Sequence, residues 1–369
     1  MTASTTPGGR SAGTSLPGFD LLVFCHLRWD FVYQRPQHVI SRLAHDHRVL
    51  FVEEPWRRPE RADHDLRQVT DHLWVLQPNI DSIDQLGSAL QKLLPQTDLS
   101  TGWFYSPSFV PVLDYVAFDT VIYDCMDELS LFRGAPAQLV GQEQQLLQRA
   151  DLVFSGGPSL YESKKSRHDR VYCFPSSVDQ AHFARARGEG ELPEDIRHIA
   201  QPIVGYFGVI DERIDLELLA GTADRAPGVS FVMVGPLAKI GHHDLPQRDN
   251  IHYLGMKDYR ELPDYLRAFS VAMMPFALND ATRFISPTKT LEYMAAGKPI
   301  ISTAIRDVVG PYGDIVAIVE DGVSFDRAIT TALERNAPPD YTNILASTSW
   351  DSTVRKMRAL LTQTAPQYD

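Results

Sequence analysis

The chain carries the sequence SPTKTLEYMAAGKPIIST at residues 286–303. Pro287 suits the first turn of a helix, Gly297 suits a helix C-terminus, and Pro299 precedes a short apolar run. The stretch therefore predicts a loop, a short helix over residues 288–296 and a buried strand. This alternation is typical of α/β domains.

The start of this predicted helix has the properties of an anion-binding site. Its first backbone N–H groups have no partner within the helix, and they form the positive end of the helix dipole. Ser286 and Lys289 add a hydroxyl group and a cation. Glu292 lies on the face that Lys289 begins, where a carboxylate can accept hydrogen bonds from the two hydroxyls of a ribose. Together these groups predict a site for a nucleoside diphosphate.

Residues 291–299, LEYMAAGKP, resemble the donor-site helix of GT-B glycosyltransferases, especially the family-4-type enzymes. The Ser-Pro-x-Lys loop ahead of them is nearer to bacterial polysaccharide-assembly glycosyltransferases. The family-4-type enzymes usually carry two glutamates separated by seven residues; Glu292 matches the second, and Phe284 stands at the position of the first. Because the first glutamate faces the donor sugar in the family, the resemblance implies nucleotide binding and leaves the sugar and the retaining or inverting outcome open.

The composition sets bounds on fold and partners. A chain of 369 residues with 44% hydrophobic content can bury two cores of ordinary size. A net charge of −12 argues against a general nucleic-acid binder. Cys25, Cys125 and Cys173 lie in or beside apolar runs without a Cys-x-x-Cys pair, which predicts free buried thiols in a reducing compartment.

The beginning of the chain bears on its location. The first 18 residues are rich in Thr, Ser, Gly and Pro and lack the apolar centre of a signal peptide, so they predict a disordered tail and a cytoplasmic protein. No apolar run is long enough to cross a bilayer. Contact with the inner face of the membrane stays open.

Two successive series of β-prone and helical patterns predict two Rossmann-like domains that face a cleft. We place an N-terminal acceptor domain at 19–183, a polar linker at 184–201 and a C-terminal nucleotide-sugar donor domain at 202–345, after the tail at 1–18. Residues 346–369 contain a helical pattern. GT-B proteins commonly end in a helix that crosses back to the first domain, so the resemblance implies this here.

Glycine-containing turns follow two strands of the second series. Gly208 and Gly235 allow the backbone to approach a ligand closely. Arg213 falls where family-4-type enzymes usually have a lysine that contacts the donor diphosphate. The alternative is that Arg213 simply pairs with Asp211 or Asp215 at a solvated helix end.

Three further residues are donor-site candidates. Met256 belongs to a turn that resembles the one cradling the nucleobase in the family, and it either packs on the base or only fills space. Asn279 and Arg283 lie in the polar loop ahead of residue 286, where the sugar and phosphates are expected. Such loops are often surface features without a ligand.

The first domain supplies the acceptor candidates. Trp29, Gln34 and Arg35 belong to a pattern, Trp followed by Gln-Arg-Pro-x-His, that resembles the opening of polysaccharide-assembly transferases. Arg35 can neutralise a phosphate or an acidic sugar. Asp124 lies at the end of a predicted strand and is a fourth candidate.

Two residues are candidates for catalysis. We expect Asp127, just after the same predicted strand, to be the general base that deprotonates the acceptor. It can instead cap the next segment or bind Arg133. If configuration is retained, the leaving diphosphate can take the proton, and Asp127 would only position the acceptor. His26 is the second catalytic candidate, although histidines in polar loops are usually solvated.

No metal site and no cofactor are expected. The segments Asp63–Asp65 and His242–Asp244 resemble metal motifs but lack further ligands. In a GT-B site, helix dipoles and cations can stabilise the departing diphosphate without a metal.

The sequence thus predicts a metal-independent, hexosyltransferase-like GT-B enzyme of polysaccharide or glycoconjugate biosynthesis. It would transfer a sugar from a UDP- or GDP-sugar to a saccharide or lipid-linked acceptor. Two alternatives remain: a nucleotide-sugar epimerase of the same fold, and a non-catalytic nucleotide-binding scaffold. The second is motivated by Phe284.

Overall fold

The computed structural model of the protein describes residues 18–60, 62–94, 98–335, 337 and 339–364. The predicted disordered tail lies outside the described residues except for its last residue.

Strands and helices alternate along most of the chain. The strands are β1 Leu21–Cys25, β2 Val49–Glu53, β3 His64–Thr70, β4 Leu73–Pro78, β5 Asp98–Phe104, β6 Ala117–Cys125, β7 Leu152–Ser155, β8 Val171–Cys173, β9 Ile203–Phe207, β10 Ser230–Val234, β11 Ile251–Gly255, β12 Val271–Met274, β13 Ile300–Thr303 and β14 Ala317–Val319. The helices are α1 Arg35–Leu43, α2 Leu86–Leu93, α3 Leu139–Arg149, α4 Pro158–Lys164, α5 Gln180–Ala184, α6 Leu216–Arg225, α7 Leu262–Ala268, α8 Thr288–Ala295, α9 Arg306–Tyr312, α10 Gly322–Leu333, α11 Thr342–Leu345 and α12 Trp350–Thr364.

The first eight strands form one sheet in the order β3-β4-β2-β1-β5-β6-β7-β8. All neighbours are parallel except β3, which runs antiparallel to β4 at the edge. The sequence interpretation missed β3 and assigned its beginning to a polar loop. Its side chains are mostly exposed, so the apolar signal that reveals a buried strand is absent.

The remaining six strands form a second sheet in the order β11-β10-β9-β12-β13-β14, and every pair is parallel. The order reverses direction beside β9, in the middle of the sheet. Strands β1 and β9 are buried over their whole length because helices cover both faces of each sheet. The predicted fold class, two doubly wound α/β units, is confirmed.

The last helix, α12, packs against α1 of the first unit. Arg42 pairs with Asp351 at 2.6 Å, and Arg358 pairs with Asp46 at 2.5 Å. Trp350, which is 1% exposed, is part of the apolar core around the first sheet. The end of the chain therefore contacts its beginning.

Some element boundaries differ from the predicted ones. The helical pattern of the sequence over residues 83–94 predicts one helix, but the structure begins with a 3-10 turn, Ile83–Gln85, before α2. Residues 188–202, most of the predicted linker, contain no helix or strand, and all of them are described. The domain boundaries themselves remain predictions. Among the described residues, no helix combines the length and the apolar character needed to span a membrane.

Candidate active site

Loops from both units meet in a cleft at the carboxyl ends of the parallel strands. Three adjoining cavities lie there. The first, which we call the loop cavity, has a volume of about 80 Å³ and is lined by the segment from Ile285 to Lys289. The second, the turn cavity, also has about 80 Å³ and is lined by the turns at Gly208 and Gly235. The third, the side chamber, has about 410 Å³ and is lined by residues on both sides of the cleft. Gln34 and Arg213 line all three.

Lys289 lies in the first turn of α8 and lines both the loop cavity and the turn cavity. Its Nζ has no hydrogen-bond or ion-pair partner in the part of the chain that the structure describes, and it lies 5.4 Å from the ring centroid of Tyr206. Burial lowers the pKa of Lys289, and the neighbouring Glu292 opposes this shift. A cation at a helix N-terminus is thus available for an anionic ligand.

Glu292, one turn further along α8, lines the turn cavity and is only 5% exposed. Burial raises the pKa of its carboxyl group, and Lys289 opposes this shift. Within the described residues, its carboxylate has no hydrogen-bond or ion-pair partner. A buried carboxyl group without a donor is costly, so a hydroxyl-bearing ligand at this position would be stabilised.

The two predicted glycine turns pack directly on each other. Gly208 has φ +135° and Gly235 has φ +149°, in the region that favours glycine. A Cβ at Gly235 would lie 1.9 Å from the carbonyl oxygen of Gly208, and a Cβ at Gly208 would lie 2.2 Å from Cε of Lys289. Both glycines are therefore required for the shape of the cleft.

Arg213 pairs with Asp211, one of the two partners considered from the sequence, and its proposed contact with the donor diphosphate stays a prediction. Its guanidinium forms a two-pronged ion pair with Asp211, with Nη2 2.7 Å from Oδ2 and Nε 2.9 Å from Oδ1. The same side chain lines all three cavities. Asp215, the other partner considered, instead accepts a hydrogen bond from the backbone N–H of Leu218 at 2.8 Å and caps α6.

Asp127 follows β6 and lies between the loop cavity and the side chamber, both of which it lines. Burial raises the pKa of its carboxyl group to about 6; Asp211 adds to this shift, and Arg213 and Lys289 oppose it. Arg133, the alternative partner, lies 3.6 Å from Glu212 instead. Asp127 is therefore a carboxyl group at the centre of the cleft with a pKa suited to a general base.

Asp124 does not reach the cleft surface. It is 0% exposed, pairs with Arg35 at 2.8 Å and accepts a hydrogen bond from Nε1 of Trp103 at 3.2 Å. The prediction that Asp124 contacts an acceptor is wrong, because its carboxylate is fully buried and already bound by Arg35 and Trp103. Arg35 also donates to the carbonyl oxygen of Phe174 at 2.7 Å, and it still lines the loop cavity.

Besides Asp124, three predicted side chains do not line any of the three cavities. The Trp29 ring packs edge-on against Phe51 at 5.0 Å. Asn279 caps the turn at residues 280–282 and donates to the carbonyl oxygen of Glu212 at 3.1 Å. Arg283 is exposed and lies over Phe284. The structure thus separates these three from the other candidates, because local partners or solvent satisfy their polar groups.

The other predicted residues do lie at the cleft. Ser286 lines the loop cavity, and its carbonyl oxygen accepts a hydrogen bond from the Ser176 hydroxyl at 2.6 Å. Met256 is 45% exposed and lines the turn cavity. His26 lines the side chamber; burial lowers its pKa to about 4, which makes it neutral at pH 7.

Sequence reasoning missed the segment from Leu129 to Leu139, which lines the side chamber. Phe132 lies between two cations of the second unit, 5.6 Å from the Arg213 guanidinium carbon and 4.7 Å from Lys239 Nζ. The signal available was an apolar pair, Leu131 and Phe132, inside a loop with Gly and Pro. Among the described residues, no group of three or more His, Cys, Asp or Glu is placed to hold a metal ion.

Solved structures with the same fold cover almost the whole chain. An α,α-trehalose-phosphate synthase (UDP-forming) from Burkholderia xenovorans, in complex with glucose-6-phosphate, has a TM-score of 0.70 at 11% identity and covers 93% of this chain and 99% of its own. Anabaena Alr3699/HepE, in complex with UDP and glucose, has a TM-score of 0.65 at 16% identity, covering 93% and 99%. The fold is that of GT-B glycosyltransferases, which confirms the expectation from residues 291–299.

Sequence comparison defines the class further. Residues 201–335 match the family model of the group 1 glycosyl transferases. The matched segment runs from β9 to α10 of the second unit, and the chain is similar there to the group 1 glycosyl transferases. A curated relative is the putative teichuronic acid biosynthesis glycosyltransferase TuaH of Bacillus subtilis (strain 168), 23% identical over 282 residues, which are 69% of this chain and 70% of TuaH.

Proposed function

We propose that this glycosyltransferase moves a sugar from a nucleoside diphosphate sugar, UDP- or GDP-linked, to a hydroxyl group of a saccharide or lipid-linked acceptor in polysaccharide or glycoconjugate synthesis. The name of the relative TuaH and the UDP and glucose bound to HepE support this direction. The observation that carries the proposal is the pair of partnerless charged groups, Lys289 and Glu292, at the start of α8.

The donor would lie across the loop and turn cavities. Glu292 would accept hydrogen bonds from the ribose hydroxyls, and the turns at Gly208 and Gly235 leave room for the nucleotide next to the backbone. Lys289, Arg213 and the N–H groups at the start of α8 would stabilise the negative charge that develops on the departing diphosphate. None of these roles requires a metal ion.

The acceptor hydroxyl would approach from the side of Asp127. Its carboxylate would take the hydroxyl proton as the oxygen attacks the anomeric carbon, and the bond between that carbon and the diphosphate oxygen would break. The pKa of about 6 keeps most of Asp127 ionised at neutral pH while leaving it more basic than an ordinary aspartate.

Calorimetric binding of UDP, GDP, ADP and TDP, at matched ionic strength and with EDTA, tests the donor site. We expect one of the four to bind best, and Lys289→Ala and Glu292→Ala each to weaken it by about 1.5–3 kcal/mol, the usual cost of losing a hydrogen bond to a charged group.

Lys356→Ala is the matched control, since this lysine is exposed on α12. It should leave the affinity unchanged. Absence of binding by all four nucleotides would remove the main support of the proposal. Conversion of the nucleotide sugar without any acceptor would instead favour the epimerase.

A further inference from the structure

We infer that the side chamber binds an apolar group attached to the acceptor, such as an alkyl or prenyl chain close to the hydroxyl that is glycosylated. This inference rests on the proposed function and specifies the acceptor of the same site. The chamber, with a volume of about 410 Å³, is much larger than either donor cavity.

Apolar atoms form most of the chamber wall. The contributing side chains include Phe31, Leu129, Phe132, Pro136, Leu139 and Val209. A free sugar has hydroxyl groups on all sides, and burying them against such a wall without partners is costly. An apolar chain removes the same surface from water at a gain in free energy.

The polar groups around the chamber are largely paired with one another. Arg213 is held by Asp211, and Ser106 and Ser108 share a hydrogen bond of 2.8 Å. Arg133 and Lys239 both pair with Glu212, at 3.6 and 3.2 Å. These contacts already satisfy part of the hydrogen-bonding capacity of the polar groups on this side of the chamber.

Several polar side chains that line the chamber have no hydrogen-bond partner among the described residues, among them His26, Glu54 and Asp127. Asp127 also lines the loop cavity, so it marks the point where donor and acceptor sites meet. The chamber therefore adjoins the proposed reaction site at Asp127. At that end a hydroxyl group can form hydrogen bonds, and the remaining wall suits an apolar chain. An amphiphilic alcohol or glycoside matches both features.

Calorimetry with methyl, hexyl and octyl β-D-glucopyranoside tests the inference, with and without a saturating nucleotide. We expect affinity to increase with chain length in the wild-type protein, by up to about three- to fourfold for each fully buried methylene. Ala135→Phe, which narrows the chamber, should abolish most of this increase. Val140→Phe is the control, because Val140 is 60% exposed and does not line the chamber.

Equal affinity for the methyl and octyl compounds in the wild type would overturn the inference. So would an unchanged dependence on chain length in Ala135→Phe, since the chain would then bind elsewhere. Nucleotide affinity separates the two proposals. If a nucleotide binds but the three glucosides bind with equal affinity, only the assignment of the side chamber fails. If no nucleotide binds, the donor-site proposal fails, whatever the series shows.

Discussion

At the residue scale, buried charges in this protein fall into two groups. The first group is paired: Lys164, which is 0% exposed, lies 2.5 Å from both Glu128 and Glu143, and Asp211 at the cleft pairs with Arg213. In the cleft, Lys289 and Glu292 have no such partners within the described chain. Because a buried charge without a partner is costly, the contrast indicates groups whose partner is a ligand.

Asp127→Asn should lower turnover at least 100-fold, the usual scale for a general base, while nucleotide affinity stays within about threefold. In the wild type, kcat/KM should rise with pH through about 6, because the base acts only when deprotonated and burial has raised its pKa. Initial rates from pH 4.5 to 8.5 check this.

The exposed Asp119 provides the control, Asp119→Asn, which should behave as the wild type. Wild-type turnover by Asp127→Asn would contradict the assignment. In that case the leaving diphosphate would be the group that accepts the proton.

Gly235→Ala should destabilise the fold by about 1–3 kcal/mol and weaken nucleotide binding, because the added Cβ would lie 1.9 Å from the Gly208 carbonyl oxygen at a φ of +149°. Urea unfolding and calorimetry measure the two effects. Gly228→Ala is the control, since its Cβ would meet no atom within 4 Å. Equal stability of the two variants would show that the turns do not need this close contact.

At the element scale, the start of α4 depends on the second unit. Its N-cap residue, Gly157, has no side chain to offer. Asp307, which belongs to α9, caps α4 in its place. Its Oδ1 accepts hydrogen bonds from the backbone N–H of Ser159, at 3.1 Å, and from the Ser159 hydroxyl. A Cβ at Gly157 would lie 2.4 Å from Oδ2 of Asp307, so glycine permits the approach. A local capping interaction thus joins the two units.

Asp307→Ala should therefore cost about 1–3 kcal/mol of the free energy of unfolding, because it leaves buried donors at the start of α4 without an acceptor. Chemical denaturation monitored by tryptophan fluorescence measures it. Asp314→Ala removes an exposed carboxylate from the loop after α9 and should cost less than about 0.5 kcal/mol. If Asp307→Ala and Asp314→Ala both lost only a little stability, water would be satisfying the donors at the start of α4 in place of Asp307.

At the scale of the whole molecule, contacts across the cleft are spread over its length. The Ser176 hydroxyl donates a hydrogen bond to the backbone of Ser286, just ahead of α8. Phe132 lies between Arg213 and Lys239, and α12 packs on α1. The proposed donor site is therefore held in place by both units, although nearly all the residues that we propose to bind the donor belong to the second.

Trp350→Ala should be among the most destabilising single changes, by about 3–5 kcal/mol, since this buried ring stacks on His38 at 4.8 Å and fills the core between α12 and the first sheet. Arg355→Ala, an exposed position on the same helix, should have little effect. Thermal or urea unfolding compares them. A small loss for Trp350→Ala would show that the last helix contributes little to holding the chain together.

The sequence alone was sufficient for the fold class, and it already grouped the residues that we propose for the donor side of the site. Residues 286–303 carry helix signals, a cation and an acid within one local segment, so their arrangement follows from the geometry of one loop and one helix. The turns at Gly208 and Gly235 were likewise readable, because only glycine tolerates their backbone conformation.

The tertiary structure alone decided which distant residues meet. Asp124 and Asp127 lie three residues apart, yet Asp124 forms a buried ion pair with Arg35 whereas Asp127 faces the cleft. Asn279 and Arg283 became donor-site candidates because they shortly precede Ser286 in the sequence, and neither lines the cavities of the cleft. The side chamber is formed by segments from both units, so no local pattern could reveal it. Burial and ion pairs between distant residues arise only when the chain is packed into its tertiary structure, so the order of residue types does not reveal them.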